Sequence, residues 1–480
     1  MSGTLNPDIF REYDIRGIAE RDLTSPVIEA LGRAFADHIR PKGITTVTVG
    51  YDARVSSPRL CDDIVRGLTA GGMHATVIGL CPTPVLYFSL YQLHPGAGVM
   101  ITGSHNPAEF NGFKLCVGKE TIYGEEIQKI GKIMIEGSGG RGPGSGELTT
   151  GGSIAQKTIL PDYISHLQKL FSSLSGPRLK VVLDSGNGTA GLAAPEIIRS
   201  MGCEVIELYS EPDGRFPNHH PDPTIPKNLN ALIETVCKHN ADAGIAFDGD
   251  SDRIGVVDDK GNILWGDQLM VIFSRDILLE LPGATFVSEV KCSQTMYDDI
   301  RKHGGNAVMW KTGHSLIKAK MKELHAAMAG EMSGHLFFAD RYFGYDDAIY
   351  AACRMVEILK KLKTGQGSSA SLSMLLADLP RTYNTPEIRF DCPDAIKFKV
   401  VDKAKEIFTQ GTGLVQKPRE VITVDGVRAI FEKGWGLIRA SNTQPVLVMR
   451  FEAVNSDSLD EIKSMMEQHV KTIISSLTPA

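Results

Sequence analysis

No uninterrupted apolar run in this chain is long enough to cross a bilayer, which takes about 20 residues. The opening residues, Met1-Ser2-Gly3-Thr4-Leu5-Asn6-Pro7-Asp8, have neither the basic stretch nor the apolar stretch of a signal peptide, so a cytoplasmic protein without membrane contact is expected. Excess positive charge is lacking too: 51 Lys+Arg against 57 Asp+Glu leave a formal charge of -6, which argues against general nucleic-acid binding. Nor is there a C-x-x-C pair. The eight cysteines lie mostly in apolar or strand-like contexts, such as Cys203, Cys237 and Cys353, and read as reduced core residues of a cytosolic protein. What remains is a globular composition, 42% hydrophobic with mean hydropathy -0.08. At 480 residues the chain is too long for one ordinary core, and its length suggests roughly three or four domains.

The most informative stretch is Thr102-Gly103-Ser104-His105-Asn106-Pro107, which follows the apolar run Ala97-Gly98-Val99-Met100-Ile101. Gly103 allows a tight turn and Pro107 biases Asn106 away from helix, so Ser104 is expected on a loop at the end of a strand. His105 beside it could polarise the hydroxyl or hold whatever the hydroxyl carries. By itself a Ser-His pair in a turn is usually turn chemistry. Its weight comes from Asp248-Gly249-Asp250-Ser251-Asp252-Arg253, where three carboxylates at alternate positions can converge on one hard cation. Without a cation or a buried base, like charges this close repel. A calcium-binding hand needs Gly at its sixth position and Glu at its twelfth, and counting from Asp248 these are Arg253 and Asp259. Three carboxylates with room for one more oxygen suit Mg²⁺ engaging a phosphate.

The first three quarters of the chain repeats one plan, in which Val/Ile-rich strands alternate with helical stretches and end in polar loops. The first copy runs through 46–54 and 75–80 into the Ser104 loop, the second through 181–188, 205–208 and 244–247 into the Asp triplet, and the third through 285–291 and 307–310 into 328–335. Such alternation indicates βαβ units and mixed or parallel sheets, whose ligand crevice lies at the strand C-termini. Ser25-Pro26 reads as a cap followed by proline at the first helical position, with Val27, Leu31 and Phe35 on one face. The glycine-rich segment Gly137–Gly146 reads as a surface loop or linker, and Thr364–Ser369 as a second break.

The remainder differs. An antiparallel hairpin over 427–439, a strand over 447–453 and a final helix with Leu459, Ile462, Met466, Val470 and Ile473 on one stripe suggest a separate α+β domain. Expected domain limits are 1–153, 154–258, 259–376 and 377–480. Between the last strands, Arg439-Ala440-Ser441-Asn442-Thr443-Gln444-Pro445 offers a guanidinium, hydroxyls, an amide and backbone N–H groups as an anion cradle. Arg16, Lys114, Arg253 and Lys291 also fall in or beside the polar loops, which suggests a locally positive pocket for a dianionic ligand.

Together, Tyr13-Asp14-Ile15-Arg16-Gly17, Thr102 to Pro107, Asp248 to Arg253, Gly330-Glu331-Met332-Ser333-Gly334-His335 and Arg439 to Thr443 resemble the α-D-phosphohexomutases, nearest their bacterial phosphomannomutase/phosphoglucomutase branch. The resemblance covers essentially the whole chain in the family's order. It implies three related α/β domains of mixed, three-layer build plus a C-terminal α+β domain around a central active-site cleft. By the same resemblance, Ser104 carries a phosphoryl group and Mg²⁺ is held by Asp248, Asp250 and Asp252 with the Ser104 oxygen. The phosphoserine then donates to a hexose 1- or 6-phosphate, giving a 1,6-bisphosphate that turns over and returns its other phosphate. Glu331 and Ser333 would grip the sugar, Arg253 and Lys291 would assist, and Arg439, Ser441, Asn442 and Thr443 would hold the phosphate that is not transferred. Lys114, His314 and His335, with Arg16 and Tyr13 nearby, are the candidates for proton transfer.

Three alternatives stay open at this level. A phosphoglucosamine or N-acetylglucosamine-phosphate mutase would differ in the 330–335 loop, and a serine- and metal-dependent sugar phosphatase would need no second phosphate cradle. A non-enzymatic sugar-phosphate or metal-binding protein is a third class. Small sugar phosphates are the expected partners, on a monomer or weak dimer.

Overall fold

A computed structural model describes residues 5–138, 151–411, 413–441 and 445–477. The chain divides into two compact units. One takes in Met1–Asp276 and Ser333–Ala377, and the other Ile277–Met332 and Asp378–Ala480.

In the first unit, strands Thr46–Tyr51, His74–Leu80 and Ala97–Ile101 pair in parallel, as the repeating plan implies. Among the described residues the sheet has seven strands, because antiparallel Phe110–Val117 and Ile15–Ile18 extend one side, the two-residue strand Glu120–Thr121 pairs with Phe110–Val117, and short Ile154–Gln156 pairs with His74–Leu80 on the other side. This last strand lies just past the expected limit at 153, yet its backbone pairing belongs to the first sheet. The second sheet repeats the parallel trio with Lys180–Asp184, Glu204–Leu208 and Ala243–Phe247. Antiparallel Ile254–Val257 and Ile263–Leu264 are added at one edge. Helix Ser25–Ile39 buries Val27, Leu31 and Phe35 as expected, with Thr24 rather than Ser25 in the cap position.

In the second unit, strands Asn306–Trp310, Thr285–Glu289 and Met328–Gly330 pair in parallel. The C-terminal sheet is antiparallel, built on Val427–Ile430, Gly434–Ala440 and Val446–Ala453. Helix Ser456–Leu477 lays Ile462, Met466, Val470 and Ile473 onto its core. The glycine-rich segment beyond Ser138, together with Asn442 and Thr443 of the expected cradle, lies outside the described residues. Among the described residues, no helix is long and apolar enough to cross a membrane.

Helix Ala348–Gln366 begins on a buried carboxylate. Asp347 accepts hydrogen bonds from Tyr350 N (2.8 Å), Tyr163 Oη (2.9 Å) and Tyr342 Oη (2.8 Å). Burial outweighs these bonds and raises its pKa from the ordinary 3.8 to about 6. A raised carboxyl contributes stability that is complete below pH 3.8 and lost as pH rises through 6. The stability of wild type minus that of Asp347→Asn should therefore fall by about 3 kcal/mol across that window. Paired denaturant titrations from pH 4 to 8 check this, and a difference independent of pH would refute it.

Candidate active site

Strand Ala97–Ile101 is buried along its length and delivers Ser104 just past its C-terminal end. Ser104 has φ of 48°, a left-handed conformation that costs a non-glycine residue about 1–2 kcal/mol. The surroundings fix it there. Gly103 N donates to Asp52 Oδ2 at 3.1 Å and Ser104 N to Thr102 Oγ1 at 2.8 Å. The buried Arg54 guanidinium donates to the carbonyls of Ser104 (2.8 Å), Asn106 (2.6 Å), Pro107 (2.6 Å) and Phe110 (2.8 Å). Gly103 is required by this approach, since a Cβ there would lie 2.4 Å from Arg54 Cζ.

The acidic triplet, 144 residues on, meets this loop: Ser104 Oγ donates to Asp248 Oδ2 at 2.8 Å. His105 Nδ1 lies 3.1 Å from the same hydroxyl oxygen, within hydrogen-bond reach. Gly249 lies flush on the serine loop, where a Cβ would stand 2.5 Å from Ser104 O. Lys114 reaches from strand Phe110–Val117 to Asp250 Oδ2 at 2.9 Å and to Asp252 Oδ2. Thr83 Oγ1 also donates to Asp250 Oδ2, at 2.6 Å. Arg16 Nη1 donates to Asn106 Oδ1 at 2.9 Å and its Nη2 pairs with Asp14, and the neighbouring Tyr13 is half-buried.

Charge in this buried group is unbalanced. Burial, then the Asp252 and Asp250 charges, push Asp248 well above the usual carboxylate range. Burial also opposes ionisation of Asp250, but Lys114 and the Thr83 hydroxyl hold it below its ordinary value. The same pair of carboxylates overcomes the burial of Lys114 and keeps its ammonium above the ordinary lysine range. Burial, with Arg253 and Arg16 close by, drives His105 well down, toward the neutral imidazole. Three carboxylates against one ammonium leave room for a cation. Oxygens of Asp248, Asp250 and Asp252 lie within 4.8 Å of one another, and Asp250 Oδ1 and Asp252 Oδ1 are buried without a hydrogen bond among the described residues. An all-oxygen set of this kind fits a hard divalent ion. Asp252, His335 and Asp346 are equally close together. There, however, Arg253 Nε donates to His335 Nε2 at 3.0 Å, which puts the imidazole proton on Nδ1, 3.3 Å from Asp346 Oδ2. A protonated nitrogen is no metal ligand, so this trio orients Arg253.

The remaining residues fall in two places. Ser333, half-buried, belongs with His335 to the first unit, and Ile254 N pins their turn by donating to Gly334 O at 3.1 Å. Glu331, Lys291, His314, Arg439 and Ser441 belong to the second. In that unit Glu331 Oε1 accepts from Gly313 N at 2.8 Å, just before His314 opens helix His314–Glu323. Asp425 Oδ2 accepts from Thr312 N (3.0 Å) and from Arg439 Nε (2.9 Å), and so ties the His314 turn to the cradle. Ser441 is buried, its N–H donating to Val446 O at 3.0 Å. Lys291 Nζ lies 3.2 Å from Glu387 and 3.5 Å from Glu289, and these two carboxylates outweigh its burial and raise its pKa. Asp52, Arg54, Thr83, Asp346 and Asp425 were not singled out in the sequence. Only the strand-end position of Asp52-Ala53-Arg54 hinted at a role.

Comparison with known proteins agrees with this geometry. Four models of the phosphoglucomutase/phosphomannomutase family match in order: alpha/beta/alpha domain I over residues 7–139, II over 161–261, III over 265–383, and the C-terminal domain over 387–469. A Pseudomonas aeruginosa phosphomannomutase/phosphoglucomutase is 43% identical over 475 residues, covering 99% of this chain and 98% of the relative. A Neisseria meningitidis phosphoglucomutase is 41% identical over 468 residues, covering 97% of each chain. The crystal structure of a Burkholderia thailandensis phosphoglucomutase/phosphomannomutase family protein superposes with a TM-score of 0.88 at 36% identity and 98% coverage of both chains. The four-domain α/β architecture, the serine on its buried carboxylates and these full-length likenesses agree: the chain belongs to the phosphoglucomutase/phosphomannomutase family, isomerases that move a phosphoryl group between the 1- and 6-positions of hexose phosphates.

Proposed function

We propose that this enzyme interconverts the 1- and 6-phosphates of glucose and of mannose through a phosphorylated Ser104 and a hexose 1,6-bisphosphate. The observation that carries the reading is the 2.8 Å hydrogen bond from Ser104 Oγ to Asp248 within the buried carboxylate triplet. A sugar hydroxyl attacks the phosphorus on Oγ, the Oγ–P bond breaks as the sugar O–P bond forms, and the sugar's proton is relayed to Oγ. Lys114, His335 and Arg16 in the first unit and His314 in the second are the candidates for that relay. The bisphosphate turns over and hands its other phosphate back to Ser104. Mg²⁺, held by Asp248, Asp250, Asp252 and the Ser104 oxygen, would supply positive charge to the phosphoryl group when bound. Arg253, held beside His335 and 4.0 Å from Asp248, would add positive charge toward the same phosphoryl group. Lys291 and the Arg439–Ser441 segment bind the phosphate that is not transferred, and Glu331 and Ser333 bind sugar hydroxyls. Binding energy remote from the reacting bond then goes into alignment.

Incubation with glucose 1,6-bisphosphate should load phosphate onto the peptide containing Ser104, in step with the onset of isomerase activity. If mass analysis finds that peptide unmodified while isomerisation proceeds, the proposal is wrong. A sugar-phosphate panel with added bisphosphate should show turnover of both glucose and mannose phosphates. Turnover of N-acetylglucosamine phosphate alone would overturn the substrate assignment, and release of free phosphate in place of isomer would favour the phosphatase. Neither alternative is favoured by relatives of about 40% identity along nearly the whole chain that are named phosphomannomutase/phosphoglucomutase and phosphoglucomutase.

A further inference from the structure

Lys291 sits on a short turn between strand Thr285–Glu289 and helix Gln294–Lys302. All three carbonyls of Val290, Lys291 and Cys292 are taken by arginines of the C-terminal sheet. Arg428 Nη1 donates to Val290 O at 2.6 Å and to Cys292 O at 2.7 Å, its Nη2 donates to Gln294 Oε1 at 3.2 Å, and Arg450 Nη1 donates to Lys291 O. Glu452 Oε1 completes the contact by accepting from Gln294 N at 3.2 Å.

This is an expensive way to hold a turn. Arg428 is fully buried and stacked 3.6 Å over the Trp435 ring, with no carboxylate paired to it among the described residues. Burial pushes its pKa down to about 10. Taking an ion out of water is costly, and hydrogen bonds to neutral carbonyls offset that cost only in good geometry. What the arrangement achieves is placement. The Lys291 backbone is fixed to strands Val427–Ile430 and Val446–Ala453, and its ammonium is set by Glu289 and by Glu387. Strand Gly434–Ala440, which carries Arg439, belongs to that same sheet.

We propose that Arg428 and Arg450 are positioning residues for Lys291, fastening its turn to the sheet of the phosphate cradle so that Lys291 and Arg439 meet the substrate at a fixed separation. The proposal rests on the reading of Lys291 as a substrate contact. A contact made equally before and during phosphoryl transfer appears in KM and not in kcat. Arg428→Lys keeps the charge but loses the planar fork, whose Nη1 takes both carbonyls while Nη2 reaches Gln294 Oε1. It should raise KM for glucose 1-phosphate about tenfold and leave kcat within about threefold, with Arg450→Lys acting in the same direction. The decisive measurement repeats both substitutions in a Lys291→Met background, where each should change KM less than about twofold.

If Arg428→Lys does not fold, Arg450→Lys carries the same test, and thermal melts separate stability from placement. A lowered melting temperature with unchanged KM, or the same KM rise in both backgrounds, overturns the proposal. Should Lys291→Met alone leave KM unchanged, the role of Lys291 itself fails and takes the proposal with it. Should Lys291→Met raise KM while the arginine variants do not, only the positioning role is lost.

Discussion

Replacing Ser104 with alanine is expected to lower kcat by a factor of about ten thousand to a million, the cost typical of deleting a nucleophile. No other hydroxyl can take over readily. Thr102 Oγ1 is held by Ser104 N, and Thr83 Oγ1 is committed to Asp250. The fold should survive, because the lost hydrogen bond to Asp248 amounts to about 1–3 kcal/mol. A Ser104→Ala protein with native circular dichroism, no phosphopeptide and no turnover is the predicted result. Native-like turnover in that variant would show that the phosphoryl group travels by another route.

The second large effect lies at a residue that touches no substrate. Arg54→Met removes the donor for four carbonyls of the serine loop and leaves Asp52, 3.3 Å from Arg54 Nε, without its ion-pair partner in a fully buried position. Breaking a buried pair from one side costs about 3–5 kcal/mol. Freed from that grip, Ser104 should relax out of its left-handed conformation, and displacing a reacting group by about 1 Å costs on the order of a hundredfold in rate. Both losses are expected together, in denaturant titrations and in kcat. Arg54→Lys should recover part of the stability by restoring the charge and little of the rate, because one ammonium cannot reproduce a guanidinium reaching four acceptors. Wild-type kcat in Arg54→Met would separate the loop's geometry from catalysis.

What could be read without coordinates is the chemistry that fits within a single loop. Ser104 after an apolar strand, three aspartates at alternate positions and Arg439 among small polar residues each declare themselves over a few neighbouring residues. The final amphipathic helix was legible because burial on one face leaves a period in the sequence, and the repeating strands because strands buried on both faces read as short Val/Ile-rich runs. Antiparallel Phe110–Val117 and Ile15–Ile18 were not. The first is also buried on almost every residue, but Asn111, Gly112 and Lys114 interrupt its apolar run, and the second is only four residues long.

The sequence by itself therefore determined which groups could act: a hydroxyl, a set of carboxylates and an anion cradle, each encoded locally by residue type and spacing. Tertiary structure alone decided how they are held. Lys114 meets Asp250 across 136 residues, Arg54 meets Ser104 O across 50, and Arg253 meets His335 across 82. A buried charge takes whichever partner the packing brings within hydrogen-bond reach, and no local pattern records that choice.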